Sequence, residues 1–156
     1  MENPAQVFGI TPQAGGPIPP SSTLPDHWRM ARAAHVDLLL MGMPRVNLLL
    51  IAPEGVVRFV LESLSLDLHE PIVRWRPSEP LTLPRADEGG TLLLQDVGAM
   101  TTDDQLRLVD WLERAKGRTQ VVSTSSVPVL PRVHSGGFIE RLYYRLNTVC
   151  VDVTPS

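Results

Sequence analysis

Short apolar runs alternate with helical patterns along most of the chain. The runs predict five strands, at 47–52, 71–75, 91–97, 119–125 and 148–153. The run at 91–97 begins as a continuous apolar stretch and ends in polar residues, which is typical of a buried parallel strand. Strands that alternate with helices in this way predict an α/β domain, in which helices cover both faces of one parallel sheet.

Apolar stripes and end signals locate the helices between these strands. The three longer stripes consist of Trp28, Ala31, His35, Leu38 and Leu39, of Val57, Val60, Leu61, Leu64 and Leu68, and of Leu106, Val109, Leu112 and Ala115. Asp26 is a candidate N-cap for the first helix. A T-x-x-Q capping box at Thr102–Gln105 predicts the start of the third helix, and Gly117 predicts its end. A short fourth helix is predicted in the segment GGFIERLYYRLN.

Composition divides the chain into two parts. Residues 1–25 are rich in Pro, Gly, Ser and Gln. They cannot bury enough apolar surface to offset the entropy of ordering, so we expect a disordered N-terminal tail. Residues 26–156 are expected to form one domain, because a chain of 156 residues with 43% apolar residues can build one hydrophobic core.

Charge and cysteine content narrow the classes of function. The net charge of −3 gives no general attraction to nucleic acid or to anionic membranes. The single cysteine, Cys150, cannot form an internal disulfide, and we expect it to be a small buried residue of the last strand. The sequence shows neither a signal peptide nor an uninterrupted membrane-spanning stretch, so a cytoplasmic location is expected. The four histidines share no ligand spacing with each other or with the cysteine, so no metal site is expected.

Three segments in the second half of the chain resemble one family. They are GGTLLLQDVGAMTTDDQLRLVDWLE from Gly89, VVSTSS from Val121 and GGFIERLYYRLNTVCVDV from Gly136. In that order they resemble the Walker B, sensor and arginine-finger segments of the AAA+ domain of bacterial enhancer-binding proteins, the sigma-54 activators. The resemblance implies a three-layer P-loop NTPase core with sheet order 5-1-4-3-2, the binding of ATP and magnesium, and a role in transcription regulation.

A weaker match places the family's P-loop after the first strand, and most of the residues needed there are replaced. Aligned without gaps, Ala52 and Val57 stand at the two flanking glycines. Arg58 stands at the lysine, and Gly55 is retained inside the loop. In a working P-loop the glycines let backbone N–H groups approach the phosphates, and the lysine reaches the β/γ oxygens. Pro53 removes one further N–H donor.

The remaining site positions of the family are also altered. Gln95 stands at the acid that organises magnesium, and a neutral amide is a poor substitute for a carboxylate on Mg²⁺. Asp96 stands at the glutamate that polarises water, as a candidate catalytic base or as a polar residue at a strand end. Ser126 stands at the sensor asparagine. Of the two arginine fingers, the first is replaced by Ile139 and the second is matched by Arg145.

Two further differences from the family concern length. Only 33 residues separate Gly55 from Gly89, where the family has a much longer segment that includes the hairpin touching sigma-54. The sequence ends at Ser156 without the family's lid domain or DNA-binding helix-turn-helix, so we expect no specific DNA binding by this chain.

Together these substitutions predict a non-catalytic regulatory or protein-interaction module linked to transcription regulation, without a cofactor of its own. The alternative is a weak nucleotide-binding protein with residual or no ATPase activity, in which ATP and magnesium bind as the resemblance implies. The expected partner is a related AAA+ activator or a second copy of this chain. We expect no binding to membranes. Arg145 is a candidate arginine finger acting on a neighbour, or it pairs locally with an acid such as Glu140 or Asp152. Of Tyr143 and Tyr144, at least one is expected to pack in the core.

Overall fold

Five strands form the centre of the domain. A computed structural model describes residues 46–64 and 67–153, so the predicted tail and the helix predicted after Asp26 lie outside the described residues. The strands are β1 (Leu48–Ile51), β2 (Ile72–Trp75), β3 (Thr91–Leu94), β4 (Gln120–Ser125) and β5 (Val149–Asp152). Each falls inside a predicted run. The third is three residues shorter than predicted, because the chain turns sharply after residue 95.

The sheet is parallel throughout, with strand order β2-β3-β4-β1-β5. This confirms the predicted order and the predicted position of β2 at an edge. The first strand lies at an interior position, where Leu48 pairs with Val122 of β4 and with Val149 of β5. Because the carboxyl ends of parallel strands lie along one edge, the residues that follow β1, β3 and β4 are brought together there.

Helices cover both faces of the sheet and produce the predicted three layers. They are α1 (Glu54–Leu64), α2 (Thr102–Ala115), α3 (Leu130–His134) and α4 (Glu140–Leu146), with a short 3-10 helix at Val97–Ala99. Val60 of α1 packs with Leu50 on one face, whereas Leu108 of α2 and Leu142 of α4 pack with Leu49 on the other. The apolar pattern did not predict α3, which has no buried residue. Among the described residues there is no helical lid, and no helix is long and apolar enough to cross a bilayer.

The predicted apolar stripes of α1 and α2 each need correction. In α1 the residues Val60, Leu61 and Leu64 are buried as predicted, but in the first turn Val56 is buried and the predicted Val57 is only half-buried. Leu68 lies beyond the end of the helix. In α2 the predicted Leu106 is 50% exposed, whereas Leu108 is buried. The apolar pattern could not fix the phase of this stripe, because a polar residue occupies the core-facing position in the first turn of α2.

That polar residue is Gln105, and its position also corrects the predicted capping box. The N-cap of α2 is Thr101, whose side chain accepts a hydrogen bond from the N–H of Asp104 at 3.2 Å. The predicted box is therefore wrong by one residue, and Gln105 is only 1% exposed. At the other end of the helix, Lys116 and Gly117 both adopt positive φ angles, so the helix ends where the glycine predicted.

The edge position of β5 corrects the prediction for Cys150. Its side chain is exposed, whereas that of Val151 is buried. Partial desolvation, and secondarily the nearby carboxylate of Asp152, raise the pKa of the Cys150 thiol above its usual value. The prediction of a buried thiol was wrong because strand alternation separates two faces but does not say how completely each face is covered at a sheet edge.

Candidate functional site

The connection between β1 and α1 consists of only Ala52 and Pro53. The N–H of Ala52 donates to the carbonyl of Ser125 at 3.0 Å, which continues the pairing with β4. The N–H groups of Val56 and Val57 both donate to the carbonyl of Pro53 at 2.9 Å and close the first turn of the helix. A P-loop turns such N–H groups toward phosphate, but here they are hydrogen-bonded within the protein.

The side chains of this first turn do not replace the missing donors. Val57 packs against the apolar cluster on the α1 face of the sheet. Arg58 follows it as an exposed helical residue, and Gly55 is half-buried. Glu54 places a carboxylate in the first turn of α1, where it complements the positive end of the helix dipole and repels an incoming anion.

Gln95 and Asp96 form the turn that ends β3. The N–H of Gln95 donates to the carbonyl of Trp75 at 3.0 Å, so it extends the pairing with β2. Asp96 adopts the left-handed conformation (φ 52°, ψ 56°), which Asp tolerates better than most residues. Its N–H donates to Thr124 Oγ1 at 3.2 Å, and its carbonyl accepts from the N–H of Ala99 at 3.0 Å. Both residues of the turn are half-buried.

The structure brings most of the predicted site positions to the carboxyl edge of the sheet. Ile51 pairs with Ser125, and Leu94 pairs with Ser123, so the ends of β1, β3 and β4 are close to one another. Ser126 lies at this edge and is exposed, directly after the buried Ser125. The positions that the resemblance assigns to the P-loop, to Walker B and to the sensor therefore lie at the same edge of the sheet.

Arg145 lies at the opposite edge of the sheet. Its guanidinium donates to the carbonyl of Leu112 at 3.2 Å, near the end of α2, where the helix dipole favours a cation. Its own carbonyl accepts from Nδ2 of Asn47 at 2.9 Å, and Asn47 directly precedes β1. Arg145 therefore interacts within its own domain through a backbone carbonyl, and its pairing with an acid such as Glu140 or Asp152 stays a prediction.

The buried side chain of Gln105 forms hydrogen bonds with three backbone groups, a role that the apolar pattern did not predict. Its Nε2 donates to the carbonyls of Met100 (2.9 Å) and Gly137 (3.2 Å), and its Oε1 accepts from the N–H of Ile139 at 2.8 Å. These bonds join the turn after β3 to the loop before α4. The signal in the sequence that could have indicated this role is a polar residue at a core-facing helical position.

The burial of the two tyrosines and of His69 and His134 is clear from the structure. Tyr143 is buried and Tyr144 is 59% exposed, with their rings in an edge-to-face arrangement at 5.3 Å, so one of them packs in the core as expected. His69 and His134 are exposed. Across residues 46–64 and 67–153, no group of three His, Cys, Asp or Glu side chains could hold a metal ion.

The residues at the carboxyl edge do not fit magnesium and ATP bound in the P-loop manner. Mg²⁺ takes oxygen ligands from carboxylates, and the position after β3 offers the amide of Gln95. The β1–α1 connection offers no ring of free N–H groups, and Arg58 stands at the position of the lysine, in the first turns of α1.

Comparison with protein families and with curated proteins finds sigma-54 activator sequences. The model of the family described as "Sigma-54 interaction domain" matches residues 43–155. The DNA-binding transcriptional regulator NtrC of Rhizobium meliloti (strain 1021) is 35% identical over an alignment of 79 positions that covers 44% of this chain and 16% of NtrC.

Solved structures share the fold. NtrX from Brucella abortus has a TM-score of 0.60 and 16% identity, over 86% of this chain and 38% of NtrX. The P-loop NTPase domain of a sigma-54 transport activator from E. coli has a TM-score of 0.50 and 15% identity, over 81% of this chain and 95% of that domain. These similarities show a P-loop NTPase-like core. This chain spans only a small part of NtrC and of NtrX.

Proposed function

This chain belongs to the sigma-54 interaction domain family, and from that premise we propose that it is a non-catalytic regulatory or protein-interaction module linked to transcription regulation. The observation that carries the proposal is the two-residue connection between β1 and α1. A phosphate-wrapping loop needs more residues than Ala52 and Pro53 supply.

The second support for the proposal is the charge at the carboxyl edge. Phosphoryl transfer is accelerated almost entirely by positioning and by electrostatic stabilisation of the transferring group. Loss of a single electrostatic donor in an enzyme site costs about 10²–10³ in rate. Here the lysine position holds the exposed helical Arg58 and the magnesium position holds Gln95, so two such contributions are missing together.

The direct test is ATP hydrolysis by the purified chain with magnesium. We expect phosphate release no faster than in buffer, both for the natural chain and for the matched variant Asp96→Asn. Magnesium-dependent release that Asp96→Asn abolishes would contradict the proposal, because it would identify Asp96 as a working catalytic base.

A restoration experiment separates residue identity from backbone geometry. The triple variant Val57→Gly, Arg58→Lys and Gln95→Asp returns the family's residues to three positions. We expect it to remain inactive, because α1 still begins at Glu54 and the connection still has two residues. ATP hydrolysis by this variant would refute the geometric argument, and the identity of the three residues would then explain why the natural chain is inactive.

A second candidate function, weak nucleotide binding, is favoured by the polar groups at the edge. Gly55 is retained, Asp96 still offers a carboxylate and Ser126 a hydroxyl at the positions that the resemblance assigns, and NtrX from Brucella abortus has been solved in complex with ATP and with ADP. A calorimetric titration with ATP, with and without magnesium, tests this candidate. Saturable binding without hydrolysis would favour it over the purely scaffolding function.

The position of Arg145 bears on the proposed partner. An arginine at the amino edge of the sheet cannot act at the carboxyl edge of its own domain, but it could act on the nucleotide of an adjacent subunit. We therefore propose a related AAA+ activator that binds its own nucleotide as the partner of this surface. To act in this way, the guanidinium must first release the carbonyl of Leu112.

A further inference from the structure

A groove lies between α2 and the loop that joins β2 to β3. Its volume is about 470 Å³, and residues 81–86 of the loop form one wall. Two side chains of α2 fix this wall, because Trp111 Nε1 donates to the carbonyl of Pro84 at 2.7 Å and Arg107 Nη2 donates to the carbonyl of Leu81 at 3.2 Å. Leu81 and Trp111 are buried in the core on this face of the sheet. The groove is therefore already formed before any ligand binds.

Three guanidiniums and one carboxylate line this groove. Arg107 and Arg114 belong to α2, Arg85 belongs to the loop, and the carboxylate is that of Asp110. All four side chains are exposed. The groove thus concentrates positive charge on a chain whose net charge is −3.

These guanidiniums are available to a ligand. Arg85 pairs with Asp87, and Arg107 pairs with Asp104, each at 3.3 Å. Exposed ion pairs of this kind are weak, so the carboxylate of a ligand can compete with them. In the part of the chain that the structure describes, the guanidinium of Arg114 has neither a hydrogen bond nor an ion pair.

The spacing of the charges along α2 limits which ligands fit. Arg107 and Arg114 are seven residues apart, which places them on one side of the helix and about 10 Å apart along its axis. An extended peptide in the polyproline II conformation turns a side chain to the same side every three residues, about 9 Å apart. Asp110 lies between the two arginines and repels a carboxylate at the middle of the groove.

We propose that this groove binds an acidic peptide segment of a partner protein, in which two carboxylates are three residues apart. Guanidinium and carboxylate form charge-assisted hydrogen bonds that are frequently bidentate, and a peptide backbone can follow the groove between them. The proposal rests on the proposed function of a protein-interaction module and specifies the chemistry of one partner. None of the groove residues lies at a position of the nucleotide site, so the ATP hydrolysis test and the test of the groove can fail independently.

The test is fluorescence anisotropy of the full chain with a labelled peptide of repeated Glu-Ser-Pro units, at low salt. We expect saturable binding, and none of the matched peptide that carries glutamine in place of glutamate. The double variant Arg85→Gln and Arg114→Gln should weaken binding about 3- to 10-fold, as for loss of two exposed ion pairs. Neither of these guanidiniums holds the loop wall, so the groove itself should persist. Arg132→Gln, which removes the same charge from α3, is the matched control and should leave the affinity unchanged.

A variant that gains affinity separates the groove from a general effect of charge or of misfolding. Asp110→Asn removes the repulsion at the middle of the groove, and we expect it to bind the peptide about 2- to 5-fold more tightly. No gain in Asp110→Asn, or equal binding by the double variant and Arg132→Gln, would overturn the proposal. Failure of the natural chain to bind the peptide at millimolar concentration would overturn it as well. A parallel titration with oligo-dT tests a nucleic acid as the ligand, and tighter binding of oligo-dT that the double variant weakens would replace the acidic peptide.

Discussion

Replacement of Gln105 by leucine tests whether the buried amide holds the turn after β3 to the loop before α4. Leucine has a similar size and fits an apolar environment, so the substitution removes the hydrogen bonds and leaves little empty volume. The amide makes three hydrogen bonds to backbone groups, at 2.8, 2.9 and 3.2 Å. None of them can be made by leucine.

The expected loss of stability follows from these three bonds. The N–H of Ile139 loses its acceptor, and a buried donor left without a partner costs about 1–3 kcal/mol. The carbonyls of Met100 and Gly137 each lose one donor, at a net cost of about 0.5–1.5 kcal/mol each. Burial of the leucine side chain offsets part of this total. We therefore expect the free energy of unfolding to fall by about 2–4 kcal/mol, a large fraction of the roughly 5–15 kcal/mol that is typical of a domain.

Urea denaturation measures this loss as a lower midpoint at an unchanged slope. The matched control is Leu106→Gln, the reverse exchange at the adjacent position, which is 50% exposed. We expect that control to change the free energy of unfolding by no more than about 0.5 kcal/mol. Amide hydrogen exchange adds a local measurement, since the N–H of Ile139 should exchange faster in Gln105→Leu.

The reasoning would be refuted if Gln105→Leu were as stable as the Leu106→Gln control. It would also be refuted if the N–H of Ile139 kept its protection, because the hydrogen bond to Oε1 would then not be what shields it. A stability loss with a changed slope would point to an altered denatured state and would not support the three-bond account.

Two further predictions concern partners. Arg145→Ala should reduce any effect of this chain on the assembly or ATPase rate of a full-length sigma-54 activator in a co-purification assay, and an activator unaffected by either version would exclude the trans role. The isolated chain should not bind duplex DNA specifically, because its net charge is −3 and phosphate neutralisation is therefore weak; a gel shift at physiological salt that survives competitor DNA would contradict this.

The sequence by itself was enough to establish the architecture. Apolar runs of strand length and stripes of helical spacing are local properties, so they located all five strands and the helices α1, α2 and α4. The strand order followed from the family resemblance and was confirmed. The resemblance also places Arg58 at the P-loop lysine and Gln95 at the magnesium acid, and these two assignments stay predictions.

The tertiary structure decided what depends on contacts between distant residues. The inward position of Gln105 and the exposure of Cys150 depend on which face is covered and how completely, and a local period carries no such information. The length of the β1–α1 connection depends on where the helix begins, which tertiary packing helps to set. Only the folded chain places Arg145 against the end of α2 and brings Arg85 and Arg114 to one groove, since these residues are far apart in sequence and are joined by packing.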